Sequence, residues 1–221
     1  MKSWHKEMPK IILYDTDRRI TSQIVRGFGQ GIADSGTGWQ VDCRILNDYK
    51  KHGLPAGTDM VGSLGILRGT GLIMKDAASR GIRRLYMDHS YFNPGYDGKG
   101  WLRITANGHT MNRIQNADNN KWKTYFKNSN LVMQWKNSGQ RGDTILILPP
   151  TNAVAWYFDA HEWLEQTIAQ IKQVLPEEQH DLIKIRRKPN EPIVDKVGNL
   201  IRTDKYPEEC PLQRDLDRAR V

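Results

Sequence analysis

The sequence has no long hydrophobic run. No apolar stretch approaches the ~18 residues that a membrane-crossing helix needs, so no membrane partner is expected. The apolar run near the start, in MKSWHKEMPKIILYD, is only a few residues long and reads as neither a secretion signal nor an anchor. Cysteine is scarce: Cys43 and Cys210 stand far apart, with no Cys-x-x-Cys pair and no Cys/His cluster. That pattern gives no zinc site and suits reduced thiols in a cytoplasm, a host's cytoplasm if the chain is viral. Runs of five or more like charges are also missing. Bases still outnumber acids, 33 to 25, for a formal net charge of +8. A polyanionic partner fits that excess: nucleic acid, or phosphates on a smaller ligand. A basic soluble surface with no such partner fits it equally. Seven tryptophans and eight tyrosines argue against disorder, and 221 residues suffice for one generous domain or two small ones.

What is present is a series of short apolar segments. KIILYDTD, 10–17, ends in acids and predicts a buried first strand. Ile20, Ile24, Phe28 and Ile32 then recur at helical spacing. GFGQG therefore belongs to that helix and reads as close helix packing rather than a phosphate loop, which would directly follow the strand. WQVDCRIL, 39–46, alternates as a strand. NDYKKHGLPAGTD reads as a loop or short connection. MVGSLGILRGTGLIMKDAASRG, 60–81, begins with a glycine-broken apolar stretch and continues as a helix that Gly81 stops. RRLYMDHSYF follows as the next strand.

Strand, helix, strand, helix, strand predicts a parallel sheet covered by helices. Ligands of such sheets bind beyond the carboxyl ends of the strands. Asp88, His89 and Tyr91 fall at that end of RRLYMDHSYF. They face a ligand there, or Asp88 caps a turn and His89 is a satisfied surface histidine. A strand over 101–106 and an Asn-Gly turn come next. Bases and aromatics interleave over 116–143, in a pattern that reads first as a solvated linker pinned by its aromatics and second as a platform for nucleobases.

A second unit opens with DTILILPPTN, 143–152, whose apolar run predicts a buried parallel strand. DAHEWLEQTIAQIKQVL, 159–175, predicts a helix with Trp163, Thr167, Ile168, Ile171 and Leu175 as its stripe and Asp159 with Glu162 as a capping box. A strand over 181–189 and a helix over 211–221, with Leu212, Leu216 and Ala219 on one face, complete the chain.

This second unit resembles the start of the carboxy-terminal domain of glycosyltransferases with two Rossmann domains, the GT-B type. More closely, LYMDHSYF, WLRITANG, ILILPPT and IRRKP together resemble glycosyltransferase-like proteins of bacteriophages over roughly residues 60–221. The resemblance implies an α/β fold of two Rossmann-like parallel-sheet units, 1–141 on the acceptor side and 142–221 on the donor side. It implies transfer of a sugar from a nucleotide sugar, the co-substrate, with no further cofactor required. Asp88 or His89 would then act as base or acceptor contact. Tyr91 and Arg68 join the substrate-binding candidates. Thr151 and Asn152 would face the donor diphosphate, and Arg186, Arg187 and Lys188 would neutralise it. The basic charge suits DNA with a modified, hydroxyl-bearing base as acceptor. The chain departs from the resemblance in lacking the donor domain's later strands and helices. A truncated chain, a homo-oligomer or second chain completing the unit, or a shortened domain with a new role would each account for that.

Two alternatives stand beside it. One is a non-catalytic protein, acting as a counter-defence module, that binds nucleic acid or a partner. The other is a hydrolase whose Asp15, Asp17 and Asp88 meet around a metal.

Overall fold

A computed structural model of the chain describes residues 8–90, 100–109, 124, 142–187, 193–194, 197–202 and 212–219. The chain divides into two units, Met1–Asn116 and Ala117–Val221, where the sequence suggests a boundary at 141/142. Tyr91, Lys188, Cys210 and nearly all of the basic, aromatic stretch at 117–141 lie outside the described residues.

The first unit is α/β, with a mostly parallel central sheet as expected. Its elements run β1 (Lys10–Asp15), α1 (Arg19–Asp34), β2 (Gln40–Ile45), α2 (Leu46–His52), β3 (Met60–Leu64), α3 (Thr70–Ser79), β4 (Arg83–His89) and β5 (Leu102–Ala106). The sheet order is β2-β1-β3-β4-β5. The first four strands are parallel, and β5 closes one edge antiparallel to β4. Alternation sends Ile11, Leu13 and Met87 to one face, against Val25, Phe28 and Ile32 of α1. Ile12, Tyr14 and Val61 go to the other, against Ile73 and Ala77 of α3 and Leu46 of α2.

Two elements differ from expectation. Met60–Leu64, read as a broken prelude to a helix, is a central strand. Gly62 is needed there, because a Cβ would stand 2.6 Å from Leu13 Cδ2. Leu46–His52, read as a connection, is a short helix whose Asp48 carboxylate accepts the Ile45 N–H. The reading of GFGQG holds: Gly29 lies inside α1, and a Cβ on it would meet Cys43 Sγ at 2.9 Å.

The second unit holds β6 (Ile145–Ile147), α4 (Asn152–Phe158), α5 (Trp163–Val174), a 3₁₀ turn over Glu177–Leu182 and β7 (Ile183–Ile185). The pair β8 (Ile193–Val194) and β9 (Leu200–Arg202) and the helix α6 (Leu212–Arg218) follow. β6 and β7 pair in parallel, and Thr144 makes a parallel bridge with Ala219. Here the helical stripe is corrected. Leu164 and Ile168 are buried with Ile147 and flanked by Ile171, while Trp163 is exposed. The proposed capping box is absent. Asp159 sits in the left-handed region (φ 53°) and ends α4, an unpredicted helix, so it cannot cap α5. In α6, Leu212 and Leu216 face out while Asp215 and Ala219 are buried. No helix among the described residues is long and apolar enough to cross a membrane.

Candidate functional site

In the order β2-β1-β3-β4 the direction in which successive strands are added to the sheet reverses between β1 and β3. The connection after β1 leads away to β2, and the one after β3 leads to β4 on the other side. The crevice beyond the carboxyl ends of two such strands is where open α/β sheets take ligands. The residues at this edge come from the ends of β1, β3 and β4 and the start of β5.

At the end of β1, Asp15 is fully buried. Its Oδ1 accepts the Asp17 N–H at 2.7 Å, and its Oδ2 accepts from Ser22 Oγ at 3.2 Å and pairs with Arg26 at 3.4 Å. The carboxylate is thus taken up in fixing the turn into α1. Asp15, Asp17 and Asp88 do not meet: no group of three or more His, Cys, Asp or Glu side chains able to hold a metal occurs among the described residues.

After β3 the chain turns through Gly65 (φ 69°), Arg68 (φ 62°) and Gly69 (φ 98°) into α3. The buried Thr70 hydroxyl ties this loop by donating to the Gly65 and Leu67 carbonyls at 3.1 and 2.7 Å. Arg68 itself is exposed. A left-handed arginine costs about 1–2 kcal/mol relative to an ordinary backbone, which the tied loop must offset.

At the end of β4, Asp88 stands directly opposite Arg103 of β5. Beyond β5, Asn107 (φ 60°) turns the chain, and its amide oxygen accepts the Arg84 N–H at 3.1 Å. The Thr105 hydroxyl donates to Gly108 O at 2.6 Å. That turn swings His109 back over the sheet, where its ring meets Tyr86 edge-on at 5.9 Å. His109 Nε2 lies 3.0 Å from Asp88 Oδ2, and Arg103 Nη2 lies 3.4 Å from the same oxygen. The other oxygen, Oδ1, accepts the His89 N–H at 2.8 Å. Burial pushes the Asp88 carboxyl up, but the hydrogen bonds from His109 and the His89 N–H, with the charge of Arg103, outweigh it. The net result holds the acid below its ordinary value. An ionised carboxylate only accepts, so Nε2 of His109 carries its proton.

Alternation separates the two catalytic candidates: Asp88 shares a face with Tyr86, and His89 shares one with Met87. Sequence reasoning missed His109 and Arg103. Arg103 is legible in principle, once β4 and β5 are paired in register. His109 is not, because only the turn at Asn107 brings it to Asp88.

In the second unit, Thr151 is the residue before α4 and Asn152 its first, just past the end of β6. Arg186 and Arg187 directly follow β7. The parallel pairing brings these four to one sheet edge, as expected. Arg186 differs in its charge balance. It forms an ion pair with Asp215 of α6, and both side chains are nearly buried. Its cation is neutralised within the unit.

No family model matches the chain, and neither does a curated protein or a solved structure.

Proposed function

We propose that this chain is a glycosyltransferase-like protein with two Rossmann-like units of the GT-B kind. In this reading it moves a sugar from a nucleotide sugar to an acceptor hydroxyl, and DNA with a modified base is the acceptor. The observation that carries it is the carboxyl end of β4, where an imidazole, His89, follows a carboxylate, Asp88, that is already hydrogen-bonded on both oxygens.

That arrangement divides the roles. A carboxylate held below its ordinary value by His109, the His89 N–H and Arg103 is a poor proton acceptor. Asp88 is therefore the positioning residue. It fixes His109 and Arg103, and through the backbone it fixes the end of the strand. His89 is the base, since imidazole suits proton transfer near neutral pH. It takes the proton of the acceptor hydroxyl as that oxygen bonds to the sugar's anomeric carbon. The bond from that carbon to the diphosphate oxygen breaks, and the nucleoside diphosphate leaves. Within the second unit, Thr151, Asn152 and Arg187 stand past the ends of β6 and β7 as the candidates for contact with a nucleotide sugar.

The second reading is a binding protein without transfer. The Arg186–Asp215 pair favours it, because it removes one of the cations a diphosphate would need.

The test is release of nucleoside diphosphate from a panel of nucleotide sugars in the presence of hydroxymethylated DNA. Release with one donor is expected, with His89→Gln lowering it by about 10²–10⁴-fold. No release from any donor, with DNA still bound, would leave the binding reading.

A further inference from the structure

The carboxyl edge of the first unit carries three arginines that its transfer chemistry does not use. Arg18 and Arg19 follow β1, and Arg68 follows β3. All three are exposed, and none makes an ion pair or side-chain hydrogen bond among the described residues. Four other arginines of the unit are paired: Arg26 with Asp15, Arg44 with Asp42, Arg80 with Asp76 and Arg103 with Asp88. The acids at this edge include Asp15, Asp17, Asp48 and Asp88; Asp15 is engaged by Ser22 and Arg26, and Asp88 by His109 and Arg103. The Asp48 carboxylate accepts the Ile45 N–H.

The placement runs against local preference. Arg18 is the N-cap of α1 and Arg19 its first residue, with no acid in the first turn and no side-chain cap. Cations at a helix N-terminus oppose the helix dipole. Arg68 occupies a left-handed position that glycine or asparagine would take more readily. Sequences that break local rules at several points of one edge do so where a ligand compensates.

We infer that Arg18, Arg19 and Arg68 hold the phosphodiester backbone of a nucleic acid across the carboxyl ends of β1 and β3, beside the end of β4. This rests on the transferase reading only in taking that nucleic acid as the acceptor. The arginines stand beyond the ends of two neighbouring strands, about 4.8 Å apart. With a charge every ~3.4 Å along one strand's axis, that separation suits two successive phosphates, and the row is open toward the end of β4 for a chain to continue. An open row of exposed cations suits a chain lying across it.

The experiment is fluorescence anisotropy of a labelled single-stranded oligonucleotide from low to moderate salt, with no sugar donor present. The variants are R18A/R19A/R68A and, as a control of like kind, K50A/K51A in the last turn of α2. The triple variant is expected to bind at least 10-fold more weakly at low salt. Its log–log salt slope should fall by about 1–2, at ~0.7 per phosphate for two or three phosphates. The control should stay within twofold. Folding is checked by thermal melting; these arginines have no partners among the described residues, so the melting point should not fall. Equal weakening in both variants would mean diffuse attraction by net charge and overturn the inference. So would a nucleoside diphosphate that displaces the oligonucleotide at matched phosphate concentration, since the edge would then take a mononucleotide. Because binding is read without donor, loss of binding in the triple variant alongside absent sugar transfer would sink the transferase reading and leave this inference standing. Transfer that survives R18A/R19A/R68A unchanged would do the reverse.

Discussion

Strand β1 of the first unit and strand β6 of the second are both apolar and both pair in parallel, yet only β1 is closed on every side. It lies between β2 and β3, with α1 on one face and α3 on the other, so Ile11 to Asp15 are buried without exception. Among the described residues, β6 has one strand partner, β7, and the single bridge from Thr144 to Ala219, and only Ile147 of its three residues is buried. The difference extends to charge. At the first unit's carboxyl edge, Arg18, Arg19 and Arg68 have no acidic partners among the described residues. At the second unit's, Arg186 is neutralised by Asp215 from the end of the chain. The closed sheet ties down Arg26 and Arg103 at its edge but leaves Arg18, Arg19 and Arg68 exposed. A short sheet uses one of its own to hold α6 in place.

The sharpest way to break this comparison is to cut both cores. Leu13→Ala opens a cavity in a fully buried site and should cost about 3–5 kcal/mol, while Ile183→Ala, half-buried, should cost about 2 or less. Chemical denaturation of both variants measures it, and equal losses would deny that the first sheet is the better closed. Next in size, Asp215→Ala strands the nearly buried Arg186 charge. It should destabilise the protein by up to about 3 kcal/mol, read as a lower urea midpoint, whereas Arg68→Ala should change stability by less than ~0.5.

A smaller effect concerns pH. Asp88 is held below its ordinary value, so its folded state binds fewer protons than the unfolded state. Its stabilisation is present above the unfolded value of about 4 and is lost as the pH falls through the depressed folded value. Asp88→Asn should therefore cost roughly 1–2 kcal/mol at pH 7 and flatten the acid limb of the stability curve. An acid limb identical to the parent's would refute the charged network around Asp88. Smallest is a pair within α1. Gly27 has open space around its Cβ position, so Gly27→Ala should stabilise by up to ~1 kcal/mol. Gly29→Ala would press on Cys43 and Leu13, and thermal melting should show it destabilised or unchanged.

The legible parts of the fold are those whose signal is local. β1, β2, β4 and β5 declare themselves by apolar runs or alternation, and α1, α3 and α5 by helical spacing. β3 was hidden because Gly62 and Ser63 carry little hydrophobic signal, although the missing Cβ at Gly62 is what leaves room for the Leu13 side chain beside β3. α2 was hidden by its polar sequence, Asn47 to His52, and α4 by the two prolines before it. The site divides the same way. Asp88 and His89 follow from the topology rule alone. Their opposite faces follow from strand alternation, which the motif obscured. His109 and the Arg186–Asp215 pair join residues brought together only by tertiary structure, and no spacing in the sequence marks them.

Under the proposed transfer, the chain takes a nucleotide sugar, and thermal melting against a panel of nucleotide sugars, with free nucleotides as controls, is the decisive measurement. A sugar donor at 100 times its dissociation constant adds about 2.7 kcal/mol of stability, a rise of about 5–10 °C for a chain of this size. The account predicts such a shift with one nucleotide sugar, larger than with its free nucleotide. No shift with any of them would contradict it.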